Sequence, residues 1–519
     1  MQRTAGVVLP LFSIRTRRDW GIGQISDLPA CAAFIRRAGH RLLQILPAYE
    51  LAAGETSPYG ALTAFGLDPI YAGIESLEDV DEATVHEVLG DEGRRALEHA
   101  QAATRVDYAG VRALKTRVLS AAFDRFRTRE WSQESPRAKR LAAFIERERT
   151  WLDDLTLYEA LREAHGGWSW TTWPDLERYR DAEAMAEARA EHARRILELG
   201  YVQWTLHEQW EKAHDAMRAQ GVELMGDLPF MVGTESADVW SRALQFRRSL
   251  SLGAPPDAYS AEGQDWGLPS YDWAAMEADG FTWVRTRIRH AARLYDRFRL
   301  DHVVGYFRQW VKPMDGGKRG TFDPHDENEQ EALGRRVLGV VLEELRGRPQ
   351  VSAPRAIAED LGVIPPFVRR SLRELGMPGY RVLPWEKEDD GKYRDPGLFP
   401  ENSVVSWSTH DTASIVGWWD ELPPQDREQL AERARVAQGM DDAARSLALL
   451  KDLYSARSVL ALVLAQELLG TRERINTPAT VGDHNWTWRL PRPIEELESE
   501  PEVLDRLGAI RALVEAAGR

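Results

Sequence analysis

Three apolar runs in this chain each end on a carboxylate. The first is Phe298-Arg299-Leu300-Asp301-His302-Val303-Val304-Gly305. Read as a strand, it turns Phe298, Leu300, His302 and Val304 to one side and Arg299, Asp301 and Val303 to the other. An arginine and an aspartate on one face of a mostly apolar strand are costly unless they meet each other or a ligand. Taken alone, a buried structural ion pair accounts for them. Two further stretches repeat the pattern: Ile357-Ala358-Glu359-Asp360-Leu361-Gly362 and Val404-Val405-Ser406-Trp407-Ser408-Thr409-His410-Asp411. Three such runs suggest parallel strands whose C-terminal ends share one cleft, where an alternating strand–helix barrel keeps its chemistry.

Asp301, Glu359 and Asp411 together suit glycosidic-bond chemistry. Cleavage with retention needs two carboxyl groups about 5–5.5 Å apart, one a nucleophile and one an acid that becomes a base. A third anion stabilises the cationic transition state. Arg299 would favour the ionised form of Asp301, and neighbouring acids would keep Glu359 protonated. Plainer readings stand beside this one. Asp360 can simply cap a helix, His302 and His410 can be structural, and a barrel hosts many chemistries. His410 can equally bond a sugar hydroxyl. Other catalytic motifs fail. His207-Glu208 lacks the second histidine of a zinc protease, since position 211 is Glu. Gly21-Ile22-Gly23 lacks the third glycine of a dinucleotide site, and no phosphate loop or nucleophile elbow is present.

The elements that must position these residues read as an α/β chain. Residues 6–12 form a first strand, a helix runs from about Ser26 or Asp27 to Gly39, and 41–47 form a second strand. From about Ser76 to Gly200 the chain is rich in Ala, Glu and Arg. Val111, Leu114, Val118 and Ala122 recur there at helical spacing. This predicts a helical insertion between strands 2 and 3. Val202, Leu206, Trp210, Ala213 and Met217 form a helix face before strand 3 at 222–229. Residues 253–273 read as a long loop without secondary structure, and their aromatic residues argue for order. Strands are expected at 298–304, 356–361, 379–385 and 403–408. A long helical region then reaches Leu469, and 472–476 supplies an eighth strand. The prediction is a (β/α)8 TIM barrel over residues 1–54 and 201–519. A mostly helical subdomain occupies 55–200, and 253–273 is a loop over the C-terminal face of the barrel.

Composition narrows the class. The net charge of −15 argues against a nucleic-acid partner, whose backbone needs a basic face. Cys31 is the only cysteine, so an intrachain disulfide and a cysteine metal cluster are both excluded. No signal-peptide core and no membrane-length apolar run are visible, so a cytoplasmic protein is expected. Asn485-Trp486-Thr487 then fits a glycosylation sequon by chance. Tryptophan, at 19 residues, outnumbers both tyrosine and phenylalanine. Core packing explains that excess, and so would flat platforms for sugar rings.

The motifs taken in order resemble 4-α-glucanotransferases of the amylomaltase or disproportionating-enzyme type, glycoside hydrolase family 77, related to the α-amylases. The resemblance runs over nearly the whole chain. It is carried by Trp20-Gly21-Ile22-Gly23, Gln44-Ile45-Leu46-Pro47, Ser57-Pro58-Tyr59, Gly226-Asp227-Leu228-Pro229, and Pro255-Pro256-Asp257 with Gly263-Gln264 and Trp266-Gly267. Arg299-Leu300-Asp301-His302, Glu359-Asp360-Leu361-Gly362, Thr409-His410-Asp411 and Asn485-Trp486 complete it. It implies Asp301 as the nucleophile, Glu359 as general acid/base and Asp411 as transition-state stabiliser. It also implies that Asp227, Arg299, His302 and His410 line the reacting glucose, with Tyr59, Gln264 and Trp266 along a glucan groove. No metal or organic cofactor is implied. The implied partners are α-1,4-glucans and maltooligosaccharides, with glucose or another glucan as acceptor. The sequence departs from the family pattern at Leu43, Asp68, Leu268, Val304 and Thr412. Two alternatives remain at this stage: an α-glucan hydrolase of the same mechanism, and a catalytically silent α-glucan-binding protein.

Overall fold

A computed structural model describes residues 3–256, 263–314, 320–346, 355–478, 480 and 482–519. Eight short parallel strands close into a barrel: β1 (Thr4–Val8), β2 (Leu42–Gln44), β3 (Glu223–Leu228), β6 (Arg297–Leu300), β9 (Ala356–Ala358), β10 (Gly379–Val382), β11 (Ser403–Ser406) and β12 (Leu460–Leu464). Their order around the barrel is β1-β12-β11-β10-β9-β6-β3-β2. The strands are buried on both faces, so they read as apolar runs with little alternation. Gly226 on β3 is required by a close approach, because a Cβ there would lie 2.5 Å from the Tyr295 ring.

The eighth strand is the main correction to the sequence reading. It is Leu460–Leu464, every residue buried, placed in the sequence reading within a helical region. Residues 472–476, expected to be the strand, form none. A continuous apolar run carries no period that separates strand from buried helix. Pairing decides it: Val8 opposes Leu464 on one side and Ser406 opposes Leu462 on the other.

Residues 253–273 are also not a structureless loop. β4 (Phe246–Ala254) and β5 (Gln264–Tyr271) pair antiparallel. β7 (Gln309–Pro313) and β8 (Thr321–Asp323) extend them into a four-stranded sheet of order β5-β4-β7-β8. Residues 257–262 of that stretch, Asp257 and Tyr259 among them, lie outside the described residues. The extended run expected at 298–304 stops early as well. β6 ends at Leu300, His302 takes a left-handed conformation with φ 46°, and a 3-10 turn follows at Val303–Tyr306. The alternation expected there therefore holds only as far as Leu300.

Between β2 and β3 the chain is helical, with long helices at Glu82–Ala102, Tyr108–Arg129, Pro136–Ala164 and Ala193–Ala219. Val111, Leu114, Val118 and Ala122 are all buried on the second of these. The fourth runs unbroken through residue 200, where the sequence reading divides subdomain from barrel. Among the described residues no helix is long and apolar enough to cross a membrane. Much of the tryptophan excess is core: Trp170, Trp210, Trp240, Trp283 and Trp407 are fully buried.

Candidate active site

Arg299, the third residue of β6, is the hub of the barrel mouth. Its Nη1 lies 2.9 Å from Asp227 Oδ1 and 2.7 Å from Asp301 Oδ1, and its Nη2 lies 3.8 Å from Glu359 Oε2. Asp227 comes from β3, Asp301 from the turn after β6, and Glu359 from the residue after β9. Parallel pairing places these strands side by side, with Asp227 opposite Arg299 and Arg299 opposite Ile357. The guanidinium is buried and its acidic neighbours hold its proton more firmly than usual, so it stays a fixed cation.

The acids sit in different surroundings. Glu359 is 9% exposed. Burial pushes its carboxyl up to about 7; Arg299 opposes the shift and Asp301 adds to it. Its oxygens accept from the backbone N–H of His302 at 2.8 Å and of Leu361 at 2.9 Å, which fixes its rotamer. Asp301 faces the cavity with 23% of its side chain accessible and accepts a long bond, 3.3 Å, from Phe230 N. Asp360, weighed as a helix cap, instead accepts from Tyr380 N at 2.6 Å and ties the chain to β10.

Asp411 belongs to the segment after β11. Its side chain is 42% accessible but lies deep in the barrel mouth. Burial there pushes its carboxyl up. His410, through charge and a hydrogen bond, and then the Asn476 amide overcome this and hold it down at about 2. The Asn476 amide donates to Oδ1 at 2.7 Å, and His410 Nε2 lies 3.2 Å from Oδ2. His410 Nε2 also lies 3.1 Å from the Tyr59 hydroxyl, which donates to Asp227 Oδ2 at 3.0 Å. His410, Tyr59, Asp227 and Arg299 thus form one hydrogen-bonded chain linking Asp411 to Asp301. Burial lowers the His410 pKa, but Asp411 outweighs it and raises it.

Arg299, Asp301, His302, Glu359, His410, Asp411 and Trp266 line one cavity of about 290 Å³. Trp266 stands edge-on to His302, ring centroids 4.9 Å apart. His302 is half-buried, and desolvation lowers its pKa to about 4, so the ring is neutral. Tyr59 and Asp227 stand behind Arg299 and His410 as their partners. Gln264, on β5, is held by Trp266 Nε1 at 3.0 Å on the exposed side of the sheet. Gln44, Tyr380, Trp385 and Ser408 also line the cavity. Among the residues sequence reasoning left without a site role, Asn476 is the most consequential. It lies in the stretch read as a strand, so nothing marked it as a partner of Asp411. Of the departures from the family pattern, Thr412 closes its own turn by donating to Thr409 O at 3.2 Å. Asp68 is paired in two bonds of 2.8 Å with Arg112. A larger hollow of about 980 Å³ lies between helix Tyr108–Arg129 and residues 482–487, and it contains none of the three acids.

The family model described as 4-alpha-glucanotransferase (Glyco_hydro_77) matches residues 9–495. A 4-alpha-glucanotransferase from Thermus thermophilus is 31% identical over 94% of this chain and 93% of its own length. One from Chlamydia muridarum is 30% identical over 97% and 94%. The structure of amylomaltase from Streptococcus agalactiae in complex with acarbose superposes with a TM-score of 0.82 at 25% identity, covering all of both chains.

Proposed function

This chain belongs to the 4-alpha-glucanotransferase family, and from that membership we propose how the barrel mouth moves an α-1,4-glucan segment from one chain to another. Glu359, protonated because burial raises its pKa to about 7, gives its proton to the glycosidic oxygen of the donor. Asp301, paired with Arg299 at 2.7 Å, attacks the anomeric carbon as that oxygen leaves, forming a β-linked glycosyl ester. Glu359, now a carboxylate, takes the proton from the 4-hydroxyl of the incoming glucose or glucan. That oxygen then displaces Asp301, so two inversions retain the α configuration. Asp411, held ionised, faces the positive charge that develops in both steps. His302 and His410 contact hydroxyls of the reacting glucose, and Trp266 offers its ring to an adjacent sugar.

The observation that carries this reading is one guanidinium bracing two carboxyl groups whose environments differ. Arg299 lies 2.7 Å from Asp301 and 3.8 Å from Glu359, the deeper of the two. Such separation of environments assigns nucleophile and acid in paired-carboxylate sites. Maltooligosaccharides are the donors in this proposal, and the helices between residues 55 and 200 form a subdomain beside the groove. The single, buried Cys31 suits a reducing cytoplasm. Incubation with maltotriose tests the reaction: glucose plus longer oligosaccharides is the expected result, and only shorter products would indicate a hydrolase. Asp301→Asn tests the nucleophile, with turnover abolished and glucan affinity retained. Unchanged turnover in that variant would overturn the assignment.

A further inference from the structure

Glu467 is a fully buried acid that touches none of the three carboxylates. It stands in the first turn of the short helix Ala465–Leu469, directly after β12, and is 0% exposed. Its Oε2 accepts from Leu464 N at 2.9 Å, which anchors it to the end of a barrel strand. Its Oε1 accepts from Ser408 Oγ at 2.6 Å and from Ile415 N at 3.2 Å. Ser408 and Ile415 are the two ends of the segment that carries His410 and Asp411. One carboxylate therefore closes that segment into a loop and ties both ends to β12.

Every contact to this carboxylate is a donor, which suits the ionised form. A buried carboxyl with three donors and, among the described residues, no directly bonded cation costs free energy to hold, so its geometry is the reason to look for a role. Arg506, the cation that favours its charge, donates instead to the Glu467 and Leu468 carbonyls and to Ser446 Oγ. Burial pushes the carboxyl up to about 7, against the three donors and the more distant Arg506, which pull it down. The other long-range ties grip single points of the loop: Ser414 Oγ donates to Thr471 O at 2.7 Å, Asn476 N to His410 O at 3.2 Å, Arg474 Nη2 to Asp411 O at 3.1 Å and Asn476 Nδ2 to Asp411 Oδ1 at 2.7 Å. Each of these holds one point, whereas Glu467 sets the distance between the loop's ends.

We propose that Glu467 is a positioning residue for glucan transfer, which holds Asp411 and His410 in register with Asp301 by clamping Ser408 and Ile415 to the end of β12. This rests on the role given above to Asp411. A displacement of about 1 Å at such a group costs on the order of a hundredfold in rate.

The test is a double-mutant cycle in the full-length enzyme between Glu467→Gln and Asp411→Asn. Transfer is followed with an α-maltosyl fluoride donor, so that slow variants remain measurable. Glu467→Gln keeps the shape but turns an amide toward a donor. Its kcat should fall roughly tenfold to a hundredfold while KM stays within about twofold. In the Asp411→Asn background the same change should cost less than about threefold, because the group it positions is already disabled. Ser408→Ala, which releases one end of the loop and leaves no buried donor opposed, should show a smaller loss with the same non-additivity. It carries the test if Glu467→Gln does not fold. A kcat within twofold of wild type in the folded variant overturns the proposal, as does a full loss that multiplies with that of Asp411→Asn. Asp411→Asn at wild-type rate would instead overturn the role of Asp411 itself, and this proposal with it.

Discussion

Replacing Glu359 with glutamine should slow transfer and at the same time flatten the pH dependence of stability. The folded chain holds the Glu359 proton up to about pH 7, against an ordinary value of 4.5. A carboxyl raised in this way disfavours the folded state as pH rises. The unfolded chain ionises freely above 4.5, while the folded one must either keep the proton or hold a buried charge. The loss begins near pH 4.5 and is complete above pH 7. At about 1.4 kcal/mol per pH unit, it reaches about 3 kcal/mol. Glutamine cannot ionise, so the variant escapes this loss. It bears a separate, pH-independent cost of ~1–3 kcal/mol, because its amide opposes one of the N–H groups of His302 and Leu361. The unfolding entropy of a 519-residue chain is about 1.1 kcal/mol/K, so 3 kcal/mol corresponds to ~3 °C. Thermal unfolding of both proteins at pH 5 and pH 8 isolates the titrating part. Between those pH values the variant should gain about 2 °C on the wild type. Its kcat with an unactivated oligosaccharide should fall about 10²–10⁴-fold. Equal Tm differences at the two pH values, or a kcat within tenfold of wild type, would refute the assignment of Glu359 as the proton-holding acid.

Asn476→Ala removes the 2.7 Å donor to Asp411 and should lower kcat about tenfold or more, as loss of a hydrogen bond to a charged group of ~1.5–3 kcal/mol implies. Steady-state kinetics on maltotriose check it, and a change confined to KM would count against it. Trp266→Ala should raise KM for oligosaccharides several-fold more than it lowers kcat, because the ring stands edge-on to His302 and in the proposed function takes an adjacent sugar rather than the bond that breaks. Burial raises the Cys31 thiol well above its ordinary pKa. A thiol reagent such as dithionitrobenzoate should therefore leave the native enzyme unlabelled and titrate about one thiol after denaturation. Rapid labelling of active enzyme would contradict the buried placement.

How legible the site was follows from what each residue needed. Arg299, Asp301 and Glu359 were readable because charges beside apolar strands stand out locally. Their meeting follows from neighbouring parallel strands that end at one rim. Asn476 and Glu467 left no such mark. An amide in a coil and an acid in a helix's first turn are ordinary in sequence. Their partners, Asp411 and Ser408, are 65 and 59 residues away along the chain.

The sequence by itself determined the barrel class, the helical stretch between β2 and β3 and the three acids. Each rests on patterns within a few residues: apolar runs, helical spacing and a carboxylate after a strand. Tertiary structure alone decided which segment closes the barrel. Leu460–Leu464 has no period of its own and became a strand because β1 and β11 each left an edge that it could pair. It also decided that 264–271 is a strand, because those residues gain partners only from β4. The same holds for protonation. Glu359 and Asp411 are chemically similar acids, and burial in one case and the His410–Asn476 pair in the other set their charges apart. Local spacing cannot encode those neighbours, since folding brings them from distant parts of the chain.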